Sequence, residues 1–182
     1  MISPRVFSPF AGACAFALML LSPAAAAAPV SEKVVKAEFL PRFARYVTWP
    51  AARMPGRDQP FVLCVIGGDP LGAALDRAAA GQSVDGRRMV VRRMGRAEGV
   101  ESCHVAFVQG SRSQPARQLL AALGRRPVLT VTDGSAEAVR GIIHFSIVGG
   151  RVRFFIDERQ AAERGLAVNS RLLALAVGVK QK

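Results

Sequence analysis

The chain has 182 residues, a formal charge of +12 and a mean hydropathy of +0.24. With 51% hydrophobic and 21% charged residues it is too apolar for an intrinsically disordered chain, and its length suits one domain plus a targeting segment. The charge on its own would point to nucleic acid or an anionic surface, but charge and hydropathy acquire meaning only once the N-terminus is set apart.

Arg5 precedes an apolar run from Ala11 to Leu21, Ser22-Pro23 breaks that run, and Ala24 to Ala28 are small. This is the layout of a secretory signal peptide. The apolar core is roughly half the ~20 residues that a membrane-spanning helix needs. Cleavage is expected after Ala27, leaving a domain of residues 28–182, about 155 residues long, which is an ordinary domain size. Cys14 lies at the start of the apolar run rather than after it, so it does not read as a lipoprotein cysteine. The leader removes most of the excess hydrophobicity but only one basic side chain, Arg5.

In the mature part, Ser31 is a good N-cap and Val35, Phe39, Phe43 and Val47 recur every fourth residue, which predicts an amphipathic helix over 32–47. Pro41 is expected to kink or restart it. Tyr46 and Trp49 at its end are candidates for a partner surface, where such aromatics are enriched. Phe61 to Ile66 is continuously apolar, as in a strand buried on both faces. Gly67-Gly-Asp-Pro70 then turns into a helix over 71–80, and Val84-Asp-Gly86 is a hairpin signal before a strand at Met89 to Val91. The pattern repeats with strands at 104–108 and 127–132, a helix over 115–123 and a short helix over 135–140. Strands at 142–148 and 152–156 are joined by Gly149-Gly150, which reads as a tight hairpin. Helices over 158–164 and 171–177 finish the chain, the latter capped by Ser170.

Strands alternating with helices define an α/β layered domain with a mostly parallel central sheet, to which the C-terminal hairpin adds antiparallel edge strands. In such a sheet ligands bind beyond the carboxyl ends of the strands. Gly67, Asp69, Gln109, Ser111 and Asp133 fall there and form a candidate small-ligand crevice. Neither a dinucleotide fingerprint nor a P-loop is present. Ser111 lacks a nucleophile elbow, and the two histidines, His104 and His144, read as satisfied sheet positions. No catalytic set, metal set or cofactor is implied. The basic charge is carried mostly by scattered arginines with few aromatics between them, and export separates the chain from nucleic acid. In an exported chain, Cys64 and Cys103 read as a disulfide, with two separate buried thiols as the alternative.

Val35-Lys-Ala-Glu-Phe-Leu40, Val47-Thr-Trp-Pro50, Phe61-Val-Leu-Cys64 with Gly67-Gly-Asp-Pro-Leu-Gly72, Cys103-His-Val-Ala-Phe107, Pro127-Val-Leu-Thr-Val-Thr-Asp133, Gly141-Ile-Ile-His-Phe145, Gly150-Arg-Val-Arg-Phe154 and Asn169-Ser-Arg-Leu-Leu173 follow one another along the chain. This order of motifs resembles the YfiR-like family of periplasmic proteins. The resemblance implies a Rossmann-like fold without nucleotide chemistry. It also implies a non-enzymatic periplasmic regulator that binds the periplasmic domain of an inner-membrane sensor or diguanylate cyclase, restrains cyclic-di-GMP synthesis and forms a homodimer. Cys64 and Cys103 match the family's cysteine pair, whose redox state is expected to modulate the protein. Pro41 departs from the family pattern. A periplasmic ligand-binding module is the second reading.

Overall fold

The computed structural model describes residues 31–181 apart from 112 and 135–138. The expected leader and most of the expected helix over 135–140 lie outside the described residues; 139 and 140 are not helical.

Helix α1 runs from Glu32 to Ala44, with the Ser31 side chain accepting from the Val34 N–H. Pro41 neither ends nor restarts it. Pro41 lacks the N–H that would bond back one turn, so it removes one internal bond, and it lies on the buried side of the helix with Ala37, Leu40 and Ala44. The helix stops at Ala44, earlier than its apolar period suggests. Val47–Thr48 (β1) is instead a two-residue strand, paired antiparallel with Ala167–Val168 (β9) in a small separate sheet.

The central sheet contains β2 (Phe61–Gly67), β3 (Ser83–Val84), β4 (Arg87–Met94), β5 (Val105–Gln109), β6 (Leu129–Thr132), β7 (Ile143–Val148), β8 (Arg151–Asp157) and β10 (Gly178–Lys180). Their order is β10-β8-β7-β6-β5-β2-β4-β3. The β10–β8, β7–β6, β6–β5, β5–β2 and β2–β4 pairs are parallel, while β7–β8 and β3–β4 are antiparallel hairpins. Asp85 and Gly86 turn the β3–β4 hairpin with φ of 47° and 78°, the left-handed values such a two-residue turn requires. Hairpin β7–β8 is therefore not the sheet edge that the sequence suggests. Helix α5 is only Ser170–Leu173, capped by Asn169 rather than Ser170, and the chain after it lays β10 against β8 as the outer strand.

Helices cover both faces. On one, α1 and α2 (Ala73–Ala79) pack over Phe61, Leu63, Phe107, Leu129, Phe145 and Phe154. Phe39, Phe43, Phe145 and Phe154 meet there with ring centroids 5.0–6.1 Å apart, close enough for aromatic contacts to add to area burial. On the other face, α3 (Ala116–Leu123) covers Val62, Cys64, Ile66, Ala106 and Val108. Alternating side chains on β2 and β5 thus feed two cores, which is why both strands read as unbroken apolar runs. Helix α4 (Glu158–Glu163) adds Ala161 to the first core.

Candidate functional site

The chain leaves β2 for β4 on one side and later returns to β5 on the other. That reversal makes the carboxyl ends of β2 and β5 the switch point where an α/β sheet ordinarily opens a crevice. Gly67 and Gln109 do meet there, in register, but the backbone closes the gap. The Gly68 N–H donates to the Gln109 carbonyl at 3.3 Å. Gly67 has φ of 91°, and a Cβ on it would sit 1.7 Å from that same oxygen. Only glycine permits the approach.

The remaining crevice residues lie at the same end but are engaged internally. Asp69 Oδ1 accepts from the Leu71 and Gly72 N–H groups at 2.9 and 2.8 Å, and its Oδ2 accepts from Arg93 Nε at 2.7 Å. Burial by itself would raise the Asp69 carboxyl, but the hydrogen bonds from Arg93, Gly72 and Leu71 outweigh it and hold the pKa below the usual value. Arg93 also grips both oxygens of Asp76 on α2, at 2.9 and 2.8 Å. Ser111 Oγ accepts from the Gln114 N–H and lies 3.1 Å from Ser113 Oγ. Asp133 is 3% exposed and pairs with Lys36 of α1 at 3.5 Å. The five residues thus lie at one end of the sheet, each with a bonding partner inside the domain. The sequence shows Arg92-Arg93 as a basic pair but gives no sign that Arg93 clamps the first βα turn.

Cys64 and Cys103 are joined by a disulfide, with Cα atoms 5.7 Å apart. Both residues are fully buried in the second core, and Cys103 Sγ lies 3.9 Å from Met94 Sδ. A reductant therefore meets the bond only when the structure opens. Of the two aromatics proposed for a partner surface, Tyr46 is 37% exposed but Trp49 is buried. Trp49 meets Phe61 edge to face at 5.0 Å, because the loop after β1 folds its side chain back onto the start of β2. Trp49 belongs to the core. Exposed apolar side chains occur instead at Ile147, Val148, Leu175 and Val177, which the apolar pattern of the sequence assigns to element interiors.

The histidines differ. His144 is tied through Nδ1 to Thr132 Oγ1 at 2.9 Å, and Thr132 Oγ1 also accepts from the Gly141 N–H. Burial, then the charges of Arg140 and Lys36, lower its pKa, with Asp133 acting in the opposite sense. His104 is 3% exposed, stacks on Phe61 at 4.4 Å, and accepts the Val62 N–H at Nδ1 (3.0 Å). Burial, then the neighbouring Arg53 and Arg87 charges, push its pKa down to about 4, which the Arg53 and Val62 backbone only partly offsets. Its Nε2 has no well-aligned acceptor.

Among the described residues no group of three or more histidine, cysteine or acidic side chains is placed to hold a metal, and no helix is long and apolar enough to cross a membrane. The fold is thus that of a small α/β domain stapled across its sheet, with a closed switch point. The family model for YfiR/HmsC-like domains matches residues 33–177, and the chain belongs to that family. No curated protein matches the chain.

Proposed function

We propose that residues 1–27 export the chain and that residues 28–182 act in the periplasm as a non-enzymatic regulator. It binds the extracytoplasmic domain of a membrane-bound signalling protein, in this reading a diguanylate cyclase, and restrains cyclic-di-GMP synthesis. The observation that carries this is the family match, which spans nearly all of the described domain. The buried disulfide supports it, since such bonds persist in oxidising compartments. Tyr46 is the aromatic left for the partner surface, because Trp49 is withdrawn into the core. A homodimer is part of the same proposal.

Affinity capture from detergent-solubilised membranes of the native host tests the binding. The expected result is co-purification of an inner-membrane cyclase with the wild-type chain and about tenfold less with Tyr46→Asp, a hot-spot loss of 1.4 kcal/mol or more. Equal capture by both variants would remove Tyr46 from the surface. Capture of no membrane signalling protein would refute the reading.

A further inference from the structure

The amino ends of the strands hold a cavity that no part of the regulatory reading uses. It measures about 460 Å³ and lies between the 52–60 segment, the start of β2 and the turn into β5. Arg53, Arg92, Ser102 and His104 supply its polar wall, with Met54 and Val62 among its apolar groups. Among the described residues no acidic side chain lines it, and Glu101 is the carboxylate whose charge acts on Arg53.

The orientation of the polar wall is fixed from behind. Because His104 Nδ1 accepts the Val62 N–H, the neutral ring carries its hydrogen on Nε2. The pKa of about 4 keeps the ring neutral near pH 7. Trp49, Phe61 and His104 form an aromatic row that holds the ring's tilt. Arg53 donates to the Cys103 carbonyl, and Arg92 Nη1 donates to Ser102 Oγ at 2.6 Å. Each guanidinium retains further N–H groups beyond these bonds. Arg87 reinforces the positive field from the side and anchors the loop by donating to the Pro55 carbonyl at 2.6 Å.

A buried donor without a good acceptor is costly, and buried polar groups are ordinarily satisfied by protein, water or ligand. A water molecule would satisfy Nε2–H but would bring no counter-charge to the two guanidinium groups beside it, of which Arg53 already feels the charge of Glu101. From this we infer that the cavity is an anion site. It takes a small ligand with an oxyanion head, carboxylate or phosphate, whose oxygens accept from His104 Nε2–H, Arg53 and Arg92. The apolar groups beside the head favour an organic anion over a bare inorganic one.

Titration calorimetry at low salt, with hexanoate, inorganic phosphate and neutral hexanamide as probes, tests the site on the purified protein. Saturable binding of hexanoate or phosphate is expected, and the tighter of the two identifies the head group's source. Arg92→Gln, an exposed change that leaves the core intact, and Arg53→Gln should each weaken it about tenfold or more. Long-range ¹⁵N spectra of the histidines should show His104 protonated at Nε2 and shifted on saturation. The inference is overturned if neither anion binds at about 10 mM, if hexanamide binds as well as hexanoate, if Arg92→Gln changes nothing, or if His104 carries its hydrogen on Nδ1.

Discussion

The two ends of the central sheet reverse the usual division of labour in α/β proteins. The carboxyl ends, where such folds ordinarily bind, are closed by Gly67 against Gln109 and knitted by Asp69, Arg93 and Asp76. The amino ends, ordinarily structural, hold a histidine donor without a well-aligned acceptor beside two arginines. The difference comes down to partners. At one end Asp69, Asp76, Arg93 and Asp133 each have an opposite charge as partner. At the other, cations accumulate with no lining carboxylate among the described residues.

The largest effect is expected from removing the disulfide that staples β2 to the turn before β5. Cys64→Ala with Cys103→Ala should cost about 4 kcal/mol by the chain-entropy argument for a separation of 39 residues, read as a fall in the urea midpoint. Gly67→Ala attacks the closed end directly. Its Cβ has no room and its φ is left-handed, so a loss of about 3 kcal/mol or more is expected in the same assay. Wild-type stability unaffected by that change would mean the switch point is open.

His104 sharpens the other end through pH. Its folded pKa of about 4 lies below the unfolded value of about 6.5, so the folded state binds the proton less readily. Its contribution is fully present above about pH 6.5 and falls by up to about 3 kcal/mol as the pH drops towards 4. His104→Gln should flatten that part of the stability profile. The smallest effect is expected at the Asp69 clamp. Asp69 and Arg93 are partly exposed, so Asp69→Ala should cost about 1–2 kcal/mol. With a depressed carboxyl pKa, the stability it provides is present above the ordinary carboxylate range and lost as the pH falls through the lower folded value.

Much of the fold was legible because its signals are local. The unbroken apolar runs of β2, β5 and β6 announce strands buried on both faces, Gly149-Gly150 announces its hairpin, and a lone pair of cysteines behind an export-type leader sequence announces a disulfide. The failures have one physical cause, dependence on a distant partner. Ala167–Val168 and Gly178–Lys180 are too short to show a period and become strands only because β1 and β8 lie beside them. Pro41 was expected to interrupt α1, yet the helix continues through it with Pro41 on its buried side. Trp49 looks like a surface aromatic until Phe61 is placed beneath it. The candidate crevice residues lie at one end of the sheet, but sequence spacing does not reveal that Arg93 pairs with Asp69 and Lys36 with Asp133. By its place in an apolar run His104 looks like a satisfied sheet histidine. Its environment depends on Val62, Arg53 and Arg92, contributed by three other segments.

The central claim is that this domain works outside the cytoplasm to restrain a cyclase. It is tested most directly by measuring cyclic-di-GMP in cells lacking the chain, then restoring either the full sequence or one without residues 1–27. The account predicts a severalfold rise on deletion, reversed by the full sequence and not by the leaderless one. Unchanged cyclic-di-GMP on deletion, or equal rescue by both forms, would contradict it.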